Sequence, residues 1–141
     1  MAELMPREML QPCLLDRLTD ENPQNAQEGR HERVISFKQF RRAVLRDLSM
    51  LLNSKMRPAD DPVHEYDHAA RSVLNYGIPE MCGHTASGLE PAEWERLIRR
   101  SIEIFEPRIA ANSLSVRAIV PEKSENGRSL VFEIAGDLWA H

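Results

Sequence analysis

A regular stripe of apolar residues runs through residues 94–105. Its members recur at helical spacing with charged residues between them, at Trp94, Leu97, Ile98, Ile102 and Phe105. This spacing predicts a helix with one buried face. Pro91 suits its first turn, because an amide at that position would have no intrahelical acceptor. Pro107 predicts its end, because proline cannot donate the next helical bond and disfavours helical backbone in the residue before it.

Two further helices are predicted upstream. Ser36 and Gln39 have the spacing of a capping box, and the apolar side that follows predicts a helix to about residue 52. A second run of apolar positions predicts a helix over residues 63–75. Gly77 would supply the left-handed position after that helix.

The period of the apolar residues changes from 3.6 to two in the last third of the chain. Residues 114–120 alternate between apolar and other side chains, and residues 130–134 repeat the alternation. Asn126-Gly127 between them is a strong turn signal, so the pattern predicts a β-hairpin. An isolated hairpin is marginally stable, and residues 33–35 are a candidate for a third strand. The predicted fold class is α+β, with about three helices packed on a small antiparallel sheet that includes this C-terminal β-hairpin.

The first 29 residues differ from the rest. Leu14, Leu15 and Leu18 form a short amphipathic patch, which is too short to be a stable helix by itself. The patch must therefore pack on its own domain or on a neighbouring protein. We predict a flexible N-terminal arm over residues 1–29 that contains this segment, followed by a single α+β domain over residues 30–141.

Composition narrows the function classes. The chain has 141 residues, of which 42% are hydrophobic and 28% charged, as is typical of a globular protein. Its net charge of −4 gives no general attraction to nucleic acid or anionic membranes. Neither the N-terminal residues nor any later segment fits a signal peptide or a membrane span. Cys13 and Cys82 lack metal-ligand spacing, so we expect free thiols in a reducing cytoplasm.

The sequence contains one literal enzyme motif. His64, Glu65 and His68 satisfy the zinc-peptidase pattern H-E-x-x-H, in which two histidines one helical turn apart bind zinc and the glutamate acts as general base. Pro62 places the motif in a first turn, where the histidine rings would be poorly held. A solvated helix start is therefore the simpler interpretation, and a zinc peptidase remains an alternative.

An acidic and a basic residue flank the proline that ends the 94–105 helix. If Glu106 and Arg108 extend around Pro107, both side chains point the same way, which suggests a rigid docking site. The simpler alternative is a helix end with Arg108 on the last carbonyls. A muramidase would need a carboxylic acid that stays protonated, whereas Arg108 favours the charged carboxylate. We expect Arg108→Ala to leave the fold intact and to weaken assembly with a partner.

Four ordered stretches carry a resemblance to a known family. They read LLDRL at 14–18, RDL with LLN at 46–53, RSVLNYGIP at 71–79 and FEPRI at 105–109. Together they resemble the TssE family, the baseplate subunits of the bacterial type VI secretion system. That family is similar to a wedge protein of contractile phage tails.

The resemblance implies a cytoplasmic structural protein without catalytic residues, cofactor or metal. Its implied partners are the wedge proteins TssF, TssG and TssK and the contractile sheath TssB–TssC, with no nucleic acid and no membrane insertion. In this family the Glu-Pro-Arg motif is associated with wedge assembly, which assigns partner binding to Glu106, Pro107 and Arg108. We assign the same role to the leucines of the N-terminal patch, Leu14, Leu15 and Leu18. A hydrolase, either a zinc peptidase or a muramidase, is the alternative.

Overall fold

A computed structural model describes Leu10, Gln24 and residues 12–19, 35–80, 90–119 and 131–139. The chain divides into two compact units, residues 1–47 with 140–141 and residues 48–139. The predicted boundary between an N-terminal arm and a folded domain falls at residues 29–30. It lies outside the described residues and stays a prediction.

The first unit contains helix α1 (Leu14–Leu18) and most of helix α2 (Phe37–Leu52). The predicted capping box is confirmed: the Ser36 amide donates to Gln39 Oε1 at 2.9 Å, and the Gln39 amide donates to Ser36 Oγ at 3.3 Å. The predicted end of α2 is also confirmed. Ile35, the last residue of the candidate third strand, forms an isolated antiparallel bridge with Leu10 and does not join the hairpin.

The second unit contains the remaining elements. Helix α3 (Asp67–Ala70) lies between two short 3₁₀ helices, Pro62–Glu65 and Val73–Asn75. Helix α4 (Pro91–Phe105) and strands β1 (Ser115–Ile119) and β2 (Val131–Ala135) follow. The predicted α+β class is confirmed.

The continuous helix predicted over residues 63–75 does not form. Tyr66 and Ser72 both adopt extended backbone conformations and divide the segment into three short pieces. Ser72 Oγ accepts a hydrogen bond from the Leu74 amide at 3.2 Å, which replaces a helical bond with a local cap. Apolar periodicity alone could not reveal this competition between a side chain and the backbone.

Helix α4 and the hairpin match their prediction closely. Pro91 occupies the first turn of α4, and the helix ends at Phe105 before the Glu106 cap. Val116 lies opposite Ile134 and Ala118 lies opposite Phe132 on one face of the hairpin, and α4 packs against β1. The Asn126-Gly127 turn lies outside the described residues. The buried apolar side chains of this unit are Leu48, Leu51, Ile78, Trp94, Ile98, Ile102, Ile109, Leu114 and Val116.

Candidate protein-interaction sites

Glu106 and Arg108 form a closed ion pair where α4 ends. Arg108 Nη2 lies 2.5 Å from Glu106 Oε2, and Arg108 Nε donates to Glu106 Oε1 at 2.6 Å. The backbone amide of Arg108 also donates to Glu106 Oε1, at 3.2 Å. The two side chains therefore meet, but through a turn at Pro107 and Arg108 and not through the extended backbone that the sequence analysis assumed. Two parallel N–H···O bonds give this pair the fixed geometry for which arginine is suited.

Burial distinguishes the two partners of this pair. The Glu106 side chain is 4% exposed, whereas the Arg108 side chain is 21% exposed. Pro107 between them is exposed. A neighbouring protein could therefore reach Pro107 and part of the Arg108 side chain, although Arg108 Nη1 is buried. The Glu106 carboxylate is already bound by donors from its own chain.

The backbone around the pair joins the end of α4 to a later segment. The Glu106 amide donates to the Ile102 carbonyl at 2.8 Å, and the Glu106 carbonyl accepts from the Ile109 amide at 3.2 Å. The Arg108 carbonyl accepts from the Trp139 amide at 2.7 Å. The ion pair thus stabilises the turn whose backbone is hydrogen-bonded to Trp139. Its predicted role in partner binding stays a prediction.

Helix α1 is fixed by an ion pair on its polar side, and its leucines are exposed to solvent. Leu14, Leu15 and Leu18 are 70%, 46% and 75% exposed. Asp16, on the polar side, lies 2.5 Å from Arg46 Nη1 on α2. Of the two packing partners that the sequence left open, the described residues of the first unit leave the three leucines largely uncovered.

A small polar cluster anchors α1 to α2. The Cys13 thiol donates to Asp16 Oδ2 at 2.8 Å, and Arg46 Nε donates to Asp47 Oδ1 at 2.9 Å. Arg46 therefore binds two carboxylates at once. Sequence reasoning missed this anchor, because Asp16 and Arg46 are thirty residues apart. The only signal was that both residues belong to stretches that carry the family resemblance.

The electrostatics of the cluster favour the charged forms. Burial alone would raise the pKa of Asp16, but the hydrogen bonds from Cys13 and Arg46 outweigh it and lower that pKa below its ordinary value. The hydrogen bond to Asp16, followed by the one to Asp47, raises the pKa of Arg46. The ion pair is therefore fully charged at neutral pH.

The zinc-peptidase motif is divided between two elements. His64 lies in the 3₁₀ helix Pro62–Glu65, His68 lies in α3, and Tyr66 between them is extended. The two histidines do not share a helical turn, which is the geometry that the motif requires. Within the described residues, no group of three or more His, Cys, Asp or Glu side chains is placed to hold a metal ion.

The two edges of the hairpin differ in the hydrogen bonding of their outward-facing backbone groups. Glu95 on α4 accepts a hydrogen bond from the Ala118 amide of β1 at 2.7 Å, so this amide points away from β2. Phe132 lies opposite Ala118 and Ile134 lies two residues further along β2, so their backbone groups point outward from the other edge of the hairpin. Among the described residues no further strand pairs with β2.

These sites are presented by a chain that matches a known family. The family model of baseplate wedge protein gp25 matches residues 38–141. The chain belongs to this family. No match was found among curated proteins or among solved structures. Membership in the gp25 family gives the chain a structural role like that of a phage baseplate wedge protein.

The gp25-family match covers some of these sites and not others. It includes α4, the hairpin and the Glu106–Arg108 turn, whereas α1 precedes the matched residues. The family therefore bears on the second unit more than on the leucines of α1. None of the helices that the structure describes is long and apolar enough to cross a membrane.

Proposed function

We propose that this chain is a non-enzymatic structural subunit of a type VI secretion system baseplate wedge in the cytoplasm. The observation that carries the proposal is the gp25-family match over residues 38–141. The four ordered motifs support the narrower assignment, because together they resemble the TssE family. The partners would be TssF, TssG and TssK in the wedge, and TssB–TssC in the contractile sheath. The role needs neither a cofactor nor a metal.

The leucines of α1 are the first proposed wedge contact. Leu14, Leu15 and Leu18 lie on one side of a helix whose other side is fixed by the Asp16–Arg46 ion pair. An amphipathic helix of this kind binds by placing its apolar face in a hydrophobic groove of the partner. Because the helix is already anchored, less conformational freedom is lost on binding.

The Glu106–Arg108 turn is the second proposed wedge contact. Glu106 holds the guanidinium in one orientation, and a neighbour would touch Pro107 together with the exposed part of the Arg108 side chain. In this arrangement Glu106 positions Arg108 and does not itself meet the partner.

The outer edge of β2 is the proposed connection to the sheath. Its outward backbone groups can pair with a strand from another chain, whereas the Ala118 amide on the β1 edge is already bound by Glu95. Strand addition would also stabilise a hairpin that has two strands within the described residues. We therefore place TssB–TssC at β2.

Two observations support a non-enzymatic role. The Glu106 carboxylate is bound by a guanidinium, whereas glycoside hydrolysis needs a protonated acid beside an ionised carboxylate. The H-E-x-x-H residues are divided between two elements and lack the geometry of a zinc-peptidase helix.

Co-expression of the affinity-tagged chain with TssF, TssG and TssK from the same organism tests the wedge assignment. We expect the three proteins to co-purify with the chain in fixed ratio. Failure to recover any of them would contradict the proposal. Capture of TssB–TssC by the purified wedge then tests the sheath connection, with a wedge that lacks this chain as the matched control. Equal capture by both wedges would contradict a connecting role.

A further inference from the structure

A side chain of α4 occupies the outer edge of β1. Glu95 is half-buried, and its Oε1 accepts a hydrogen bond from the Ala118 amide at 2.7 Å. Because this amide points away from β2, the Ala118–Phe132 pair is one of those without hydrogen bonds between the two strands. The backbone of Val116, two residues earlier, faces outward as well. The β1 edge thus has two outward-facing residues, and Glu95 binds the amide of one of them.

A carboxylate at this position disfavours the addition of a strand. A hydrogen bond from an amide to a carboxylate is roughly twice as strong as one between neutral groups. An incoming strand would have to replace it with a bond to a neutral carbonyl, and would separate the Glu95 carboxylate from water. Charged side chains beside an edge strand are one of the ways in which proteins prevent such pairing. A strand that adds at β1 must therefore overcome the Glu95 contact.

The opposite edge of the hairpin carries the strand that fits β1. Phe132 and Ile134 direct their backbone groups outward from β2, and among the described residues no strand pairs with that edge. The exposed charges also match, since Arg117 in the middle of β1 lies opposite Glu133 in the middle of β2. The β2 edge of a second copy in the same register would again place a glutamate opposite Arg117. Pairing of two β1 edges, or of two β2 edges, would instead bring like charges together.

Pairing between the β2 edge of one copy and the β1 edge of the next would repeat from copy to copy. The two edges are different surfaces, so the contact is heterologous. Each added copy again leaves one β1 edge and one β2 edge free, because the hairpin has two strands within the described residues. Such a contact gives open-ended oligomers, unless the rotation between copies closes a ring or one of the edges is blocked.

We propose that Glu95 blocks the β1 edge against the β2 edge of a second copy of this chain, and so leaves the β2 edge of the described hairpin open to a strand from another protein. The inference rests on the proposed function, because it concerns the hairpin edge at which the sheath connection is placed. Glu95 acts through the Ala118 backbone and not by contact with the sheath. It is therefore a residue that determines which edge of the hairpin accepts a strand.

Removal of the Glu95 carboxylate tests the inference on the purified chain. Sedimentation velocity compares wild type, Glu95→Ala and Glu95→Gln over the same range of protein concentrations. We expect Glu95→Ala to form concentration-dependent oligomers with a weight-average mass at least threefold that of wild type, because the Ala118 amide is then available to a second copy. Glu95→Gln keeps an acceptor oxygen and should remain close to wild type.

Glu93→Ala is the matched control, because it removes an exposed acid from the same helix, and it should leave the mass unchanged. Far-UV circular dichroism of Glu95→Ala should match that of wild type, which shows that folded chains associate. Equal masses of Glu95→Ala and Glu93→Ala, or equal association of Glu95→Gln and Glu95→Ala, would overturn the inference. Loss of the wild-type spectrum in Glu95→Ala would also overturn it, because the carboxylate would then be needed for the fold itself.

Charge reversal tests which edges pair in these oligomers. In the Glu95→Ala chain, Glu133→Lys places a lysine opposite Arg117 within the chain and between copies, and should lower the oligomer mass at least twofold. Adding Arg117→Glu makes the charges opposite again and should restore the oligomers. Pairing of two β2 edges would exchange one pair of like charges for another, so an unchanged mass after Glu133→Lys would contradict the assigned edges.

These measurements use the chain alone and are therefore independent of the co-purification experiment. If the wild type recovers no wedge subunit, the proposed function fails. If Glu95→Ala instead keeps the mass of wild type, the block at β1 alone is wrong.

Discussion

Two of the arginine–carboxylate pairs in this chain differ in burial, and the surfaces around them differ accordingly. At Glu106–Arg108 the carboxylate is 4% exposed and the guanidinium 21%, whereas at Asp16–Arg46 the values are 19% and 39%. The first pair closes a turn whose backbone is hydrogen-bonded to Trp139. The second holds α1 by its polar side and leaves three leucines in solvent.

The comparison shows that one ion pair can stabilise the fold, whereas a similar pair orients a short helix on the surface. A buried pair contributes to the chain's own fold, because removing one partner leaves a charge away from water. A half-exposed pair contributes little free energy by itself, but it determines which side of a short helix faces outward. We therefore expect substitutions at the two pairs to separate stability from assembly.

The largest effect is expected at Arg108. Arg108→Ala leaves the Glu106 carboxylate buried without its ion-pair partner, and it should lower the free energy of unfolding by about 3–5 kcal/mol. Urea denaturation followed by circular dichroism measures this. The burial of Glu106 thus changes the expectation, drawn from sequence alone, that this substitution leaves the fold intact.

A double variant sharpens that prediction. Adding Glu106→Gln to Arg108→Ala removes the buried charge, so part of the lost stability should return. Two losses that simply add would indicate that the residues act independently. An Arg108→Ala variant that is more stable than Arg46→Ala would reverse the ranking of the two pairs.

A smaller and pH-dependent effect is expected at Asp16. Its pKa in the folded chain is lower than the ordinary value of 3.8, so the ion pair contributes stability above pH 3.8 that is lost as the pH falls through the folded-state pKa. Asp16→Asn should lower the free energy of unfolding by under about 1 kcal/mol at pH 7, since Arg46 is partly exposed. Urea denaturation of both proteins at pH 7 and pH 2.5 measures the difference. A difference that grows on acidification would contradict the assigned ion pair.

The smallest effect on stability is expected at the leucines of α1. Leu14→Ser with Leu18→Ser should leave the free energy of unfolding within about 0.5 kcal/mol of wild type, because both side chains are already in solvent. The same denaturation experiment measures this. A loss above about 2 kcal/mol, as is usual for buried leucines, would show that they pack within the chain.

Sequence patterns predicted the elements whose periodicity reflects burial. The stripe of α4 and the alternation of the hairpin each correspond to one buried face, so Ile98, Ile102 and Val116 lie inside as expected. The capping box at Ser36 was equally predictable, because its bonds join residues three positions apart. In each case the signal lies within a short stretch of the sequence.

The predictions failed where the structure depends on interactions that neither the composition nor the spacing of apolar residues reveals. The apolar residues Val73 and Leu74 resembled a helical face, yet a serine cap divides the segment and both remain exposed. The sequence shows that Glu106 and Arg108 are close together along the chain. It does not show that they are buried, because burial depends on how the chain packs around the end of α4. The Asp16–Arg46 pair joins residues that are distant along the chain, so spacing could not reveal it.

We propose that α1 is anchored by its charges so that its leucines can bind other wedge subunits. The most direct test of this proposal compares recovery of TssF, TssG and TssK by wild type, by Leu14→Ser with Leu18→Ser, and by Leu45→Ser, which changes an exposed leucine of α2. We predict at least a tenfold loss for the α1 variant and none for Leu45→Ser. Equal recovery by all three proteins would contradict the account.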